Sequence, residues 1–220
     1  MAIVHKRDYL SDLIRVLNTP YPNNPTVNIV CHGHSVPAGY FATPMVDTFN
    51  AYPHLLHKGL KHRFPFAVLN VMVTAIGGEH SEAGAGRFET DVLCHRPDVL
   101  TIDYGLNDRG LGLDKAKVAW VGMIEKAQAQ GMKLILLTPT ADVTQLDTAR
   151  PQDKAPLGEH ADQIRQLAET YGTGLVDSFA VFQAYQQSGD LMDLLSWSNH
   201  PNRKGHELVA KELLRWFPVA

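Results

Sequence analysis

The chain has 220 residues, 45% of them hydrophobic and 20% charged, with a formal net charge of −3. That length and balance suit one globular domain, here taken as residues 1–220, and the scattered lysines and arginines give no electrostatic footprint for nucleic acid. No apolar stretch reaches the ~20 residues that span a bilayer, and the charged start "MAIVHKRDYLSDLIRVL" does not read as a signal peptide, so no membrane partner and a cytoplasmic location are expected for the chain as given.

Taken in chain order, an extra helix is expected first, over about 8–18, followed by the Pro-rich connector "NTPYPNNPTV". Five short apolar, β-branched runs follow: Val27 to Cys31, Ala67 to Val73, Val99 to Tyr104, Lys133 to Thr138 and Gly174 to Asp177. Each is bounded by Gly, Pro or Asp and nearly continuous in apolar character, as strands buried on both faces of a parallel sheet are. Segments with 3.6-residue spacing lie between them. "LDKAKVAWVGMIEKAQAQG" carries Val118, Val121 and Ile124 on one face, has Asp114 as N-cap candidate and closes on Gly131. "PTADVTQLDTARPQDKAPLG" reads as a long polar loop. The last helix places Leu208, Val209, Leu213, Leu214 and Phe217 together. The alternation implies a three-layer α/β/α fold, with ligands beyond the carboxyl ends of the strands. Cys31 and Cys94, both in or beside apolar segments, are expected as buried free thiols.

The strand ends hold the chemistry. "VNIVCHGHSVPAGYF" ends the first strand with Ser35, a poor nucleophile unless a base takes its proton. Gly78 after the second strand has a backbone N–H that no side chain obstructs, and Asn107 after the third has an amide. Both are candidate donors to an oxyanion. Gly77 competes with Gly78 for that place. His200, ahead of the last helix, is the candidate base. His32 and His34 invite a metal reading, but the third ligand that zinc needs has no pattern here, so no metal is expected. His34 and His80 are assigned instead to substrate contact. His206 is expected to be structural, bonding backbone within the turn into the last helix. Trp120 and Trp216 are expected to pack.

Four blocks in order resemble the SGNH hydrolases, also called GDSL-type esterases and lipases. They are "HGHSVPAG", "IGGEHSEAGAGRF", "GLND" and "HPNRKGH". The resemblance implies a flavodoxin-like sheet of five parallel strands and ester hydrolysis without cofactor. It makes Ser35 the nucleophile, His200 the base, and the Ser35 and Gly78 N–H groups with the Asn107 amide the oxyanion hole. The implied substrate is a small-molecule or glycan ester. A short acyl group on a carbohydrate is preferred to a lysophospholipid or thioester, and a non-catalytic carbohydrate-binding relative is the rival reading. Two positions depart from the family. His34 stands where its Asp precedes the serine, and Trp197 stands where its triad acid would lie, three residues before His200. The expectation is that the Trp197 main-chain carbonyl holds the His200 Nδ1 hydrogen, with Asp193 as the second candidate.

Overall fold

A computed structural model of the protein describes residues 4–146 and 148–219, so residues 1–3, 147 and 220 of the expected domain lie outside the description. Its helices and strands run α1 (Ser11–Leu17), β1 (Thr26–Gly33), α2 (Ser35–Ala38), α3 (Tyr52–Arg63), β2 (Val68–Val73), α4 (Ser81–Gly86), α5 (Phe88–Asp91), β3 (Val99–Asp103), α6 (Leu113–Ala129), β4 (Lys133–Leu137), α7 (Pro151–Tyr171), β5 (Gly174–Val176), α8 (Ser178–Gln186) and α9 (Arg203–Leu214). The five strands form one parallel sheet in the order β2-β1-β3-β4-β5, the flavodoxin-like arrangement.

Helices cover both faces. One core joins the inward sides of β1 and β4 to α3, α8 and α9 through Ile29, Ile135, Leu56, Phe182 and Leu213; the other joins β3 to α6 and α7 through Leu100, Ile102, Trp120, Ile124 and Ile164. β3 is buried at every position, as its mostly apolar run suggests, with Thr101 and Asp103 as buried polar members. β2 is one of the two edge strands, and there the reading of burial on both faces fails: Val68 and Val73 are exposed. Strand order reverses between β1 and β3, which makes the crevice beyond their carboxyl ends the place for a ligand. The chain meets that crevice at Gly33, paired in register with Asp103. A Cβ at Gly33 would run into the Asp103 carbonyl oxygen and stand 2.8 Å from Pro37 Cγ. The two strand ends therefore meet backbone to backbone.

Two sequence expectations are corrected. Residues 151–158 are not loop but the largely exposed opening turns of α7, with Leu157 alone buried among them. Pro151 is preorganised for a helix start, and Pro156 forfeits one backbone hydrogen bond on a face turned to solvent. Polar composition there marks exposure rather than irregular chain. Cys31 is buried in β1, whereas Cys94 is exposed, because it sits in a short turn over Leu93–His95 instead of in β3. Gly131 closes α6 as expected, at φ +76, while the N-cap is Gly112 and Asp114 lies in the first turn.

Gly33→Ala should test the strand contact. Overpacking against backbone should destabilise by about 2 kcal/mol or more, read as a fall in Tm of roughly 4–8 °C by differential scanning fluorimetry. An unchanged Tm would mean that β1 and β3 have room to separate.

Candidate active site

The end of β1 turns directly into α2, a single helical turn that closes on Gly39 in the left-handed region. Ser35 is the first residue of that turn and His34 its N-cap, with His34 Nδ1 accepting the Val36 N–H at 3.2 Å. His200 enters from the opposite side of the crevice. It lies just ahead of α9, whose N-cap Asn202 accepts the Gly205 N–H and donates to the Asp193 and Leu195 carbonyls. These anchors bring His200 Nε2 to 2.9 Å from Ser35 Oγ, with both side chains buried. The Tyr40 ring stacks against the imidazole at 6.1 Å.

The oxyanion candidates converge on the same crevice. Gly78 has φ +79, and open space surrounds the position a Cβ would take. A Cβ on Gly77 would instead press on the Tyr40 ring at 3.0 Å. Of the two glycines, Gly78 faces the approach and Gly77 fits the wall. Among the described residues neither the Ser35 nor the Gly78 N–H donates to another group. Asn107 is half-buried and spends one amide hydrogen on the Glu79 carbonyl at 2.9 Å, which leaves the second free.

This loop is fastened from behind. Glu79 receives Arg87 Nε at 2.8 Å and the Tyr104 hydroxyl at 2.8 Å. Burial alone would raise the Glu79 carboxyl, but these partners outweigh it and hold it below its ordinary value. Asp108, fully buried, accepts the Ser81 N–H and the Trp120 indole N–H, each at 2.8 Å. Trp120 is thus more than a packing residue: it ties the Asn107 turn to α6.

The His200 ring lacks the partner expected for it. Its Nδ1 is buried and completes no hydrogen bond among the described residues. The loop explains why. Leu195 pairs with Pro201, and Ser196 N–H donates to the His200 carbonyl at 2.9 Å, so residues 196–200 form a tight reversal with Trp197 at its tip, 57% exposed. Neither its carbonyl nor Asp193 reaches Nδ1. Asp193 is exposed, accepting the Tyr185 hydroxyl at 2.9 Å beside Lys204. The Phe41 backbone is the remaining influence, favouring the charged ring without closing a hydrogen bond. Burial, reinforced by His34, outweighs it and lowers the His200 pKa below its ordinary value.

The other histidines separate by environment. His34 is 1% exposed and turned inward, so the expected contact with substrate is not available to it. Its Nδ1 lies 3.4 Å from Ser35 Oγ and its Nε2 3.4 Å from Asp103 Oδ1. His80 is half-buried and caps α4, its Nδ1 accepting the Ala83 N–H at 3.4 Å. His32 accepts from Thr74 Oγ1 at 2.9 Å and donates to the Gly84 carbonyl at 3.2 Å. His206 accepts the Tyr52 N–H of α3, not a backbone group of its own turn. Sequence reasoning missed Asp103, Tyr40, Glu79, Arg87 and Tyr104. An aspartate closing the apolar run "VLTID" at a strand's carboxyl end was the available signal for the first.

A model of the GDSL-like lipase/acylhydrolase family matches residues 31–208. No curated protein matches the chain. Among solved structures, the fold is similar to Axe2, an acetylxylan esterase from Geobacillus stearothermophilus, with TM-score 0.76 and 20% identity over 88% of this chain and 95% of that one. A catalytic mutant of the same esterase aligns over 92% and 97% of the two chains, with TM-score 0.77 and 18% identity. A GDSL-like lipase from Parabacteroides merdae, described as putative, gives TM-score 0.75 and 17% identity over 88% and 96%.

The buried histidines make stability depend on acid. Burial pushes His206 down to about 3, and burial with the neighbouring Arg87 charge pushes His32 down to about 4. Both stay neutral in the fold while the unfolded chain takes up their protons below its ordinary histidine pKa of about 6.5. Stability is therefore full above that pH and falls as pH drops toward 4, at about 1.4 kcal/mol per pH unit per histidine. Urea midpoints at pH 7.5, 6 and 5 should decline in that order, and His206→Gln should flatten the decline.

Proposed function

Because the chain belongs to the GDSL-like lipase/acylhydrolase family and is a carboxylic ester hydrolase, we propose that Ser35 is its nucleophile and His200 its general base. The observation that carries the assignment is the 2.9 Å contact between His200 Nε2 and Ser35 Oγ at the crevice between β1 and β3. Ser35 Oγ attacks the ester carbonyl carbon while its proton passes to His200 Nε2. The carbonyl oxygen takes the developing charge and turns to the Ser35 N–H, the Gly78 N–H and the free Asn107 amide hydrogen. His200 then returns its proton to the leaving alcohol, and an acyl-Ser35 ester remains. Water repeats the sequence, giving its proton to His200 and releasing the carboxylic acid.

The substrate proposed is a short acyl ester of a carbohydrate or similar polar alcohol. The acetylxylan esterase neighbours support it. So does the exposed indole of Trp197 on the loop leading into His200, a flat apolar surface suited to a sugar face. A second reading, with a longer acyl chain, has its own observation. Met45, Val46 and Phe49 are exposed on the segment that follows Tyr40, beside His200.

Three measurements test the mechanism. A fluorophosphonate probe followed by peptide mapping should label Ser35, and label on another serine would displace it. Asn107→Ala should lower kcat for p-nitrophenyl acetate by about 10²–10³ with KM nearly unchanged. Loss confined to KM would instead make Asn107 a ground-state contact. Because His200 acts only when neutral and its pKa is lowered, the acid limb of kcat/KM should fall below pH 6.5, the ordinary histidine value of about 6.5.

The absent acid gives a further outcome. Removing the aspartate of a complete triad costs about 10⁴ in kcat. Asp193→Asn should leave activity within about tenfold of the parent. A loss approaching 10⁴ would restore Asp193 as the third member.

A further inference from the structure

The described residues leave His200 Nδ1 without a carboxylate, yet a buried carboxylate does lie behind the nucleophile. Asp103 ends β3 beside Gly33, 4% exposed, and its Oδ2 accepts the Tyr52 hydroxyl at 3.2 Å. Its Oδ1 faces the other imidazole of the site, His34 Nε2, at 3.4 Å. That Nε2 is buried and completes no hydrogen bond among the described residues; Asp103 Oδ1 at 3.4 Å is the carboxylate oxygen it approaches. The opposite ring nitrogen settles the tautomer. His34 Nδ1 accepts the Val36 N–H, and a backbone N–H can only donate, so Nδ1 holds a lone pair and the ring proton sits on Nε2. A buried N–H needs an acceptor, and Asp103 Oδ1 is the one in reach. With Nδ1 fixed as a lone pair, Ser35 Oγ has an acceptor at 3.4 Å on one side and His200 Nε2 at 2.9 Å on the other.

We propose that Asp103 and His34 form a buried positioning pair for the nucleophile. It rests on the reading of Ser35 as nucleophile. The Val36 N–H fixes the His34 proton on Nε2, where Asp103 stands as its acceptor; the Nδ1 lone pair caps the turn that carries Ser35 and keeps any donor away from Oγ. The hydroxyl hydrogen is then left to His200, whose ring has no acid to orient it among the described residues. The family's aspartate ahead of the serine is replaced in this chain by a histidine that keeps a short acceptor for the Val36 N–H. Behind that acceptor stands a carboxylate from the neighbouring strand. Neither residue touches substrate, and both act through Ser35.

The pair can be read directly and kinetically. Nitrogen-15 NMR of histidine-labelled protein at pH 7.5 should show the Nε2–H tautomer for His34 in the parent. Asp103→Asn should keep the Nε2–H tautomer, because the Val36 N–H still needs the Nδ1 lone pair, and should shift the His34 Nε2 resonance as the charged acceptor is lost; an unmoved resonance would show that the carboxylate does not face that proton. A parent His34 protonated on Nδ1 overturns the proposal whether or not the protein hydrolyses an ester. In turnover of p-nitrophenyl acetate, Asp103→Asn should lower kcat by roughly ten- to hundredfold with KM within about threefold, the scale of removing a supporting hydrogen-bond partner. His34→Asn, which restores a short cap acceptor, should recover at least half of that loss on a logarithmic scale relative to His34→Ala. If His34→Asn and His34→Ala lose activity equally, in step with their Tm, the residue only packs and the proposal falls. A parent unaffected by Ser35→Ala would bring down the nucleophile assignment instead, while the tautomer measurement would still stand.

Discussion

The site depends on how closely β1 approaches β3 at the point where the sheet reverses its strand order. Gly33 is in register with Asp103, and the absence of a side chain at Gly33 lets the β3 carbonyl lie against the β1 backbone. Immediately beyond, the His34 N–H donates to that Asp103 carbonyl at 3.3 Å and the chain turns into α2. Ser35 thus begins a helical turn pinned to two strands in the sheet's interior. Its position carries over the stiffness of the sheet rather than the mobility of a loop, which is what the proposed nucleophile needs to stay near its proposed base.

Around that fixed point the crevice is assembled from segments that share no sequence neighbourhood. The Gly77–Glu79 turn is held from behind by Arg87 and Tyr104, and the Asn107 turn by Asp108 through Ser81 and Trp120. The two turns are joined by the Asn107 amide on the Glu79 carbonyl. Both turns that carry oxyanion candidates are therefore backed by groups that do not face the crevice. Such backing keeps donors oriented before charge develops, so little reorganisation remains for the reaction itself.

Much of this was legible in the sequence, and the limits have physical causes. The strands were visible because burial on both faces demands unbroken apolar runs, and Ser35, Gly78, Asn107 and His200 could be placed at the ends of such runs or ahead of the last helix. β2 misled because an edge strand keeps the same β-branched composition while one side meets solvent. Residues 151–158 misled because an exposed helix start uses the residues of a loop. Asp103 escaped notice because a single aspartate at the end of a mostly apolar run resembles a strand terminator. Its meaning arises only when β1 lies against β3. The orientation of Trp197 was beyond reach for a related reason: three residues of separation from His200 say nothing of the Leu195–Pro201 pairing that turns the loop tip outward.

That outward tip bears on how freely this site can exchange one catalytic design for another. Trp197 occupies the crest of a reversal closed by the Leu195–Pro201 pair and by the Ser196 N–H on the His200 carbonyl. A carboxylate substituted there would project toward water, not toward Nδ1. Reaching a three-membered site from this one takes a redrawn loop, with altered pairing at both of its feet. The divergence is therefore built into the backbone, and a single codon change does not reverse it.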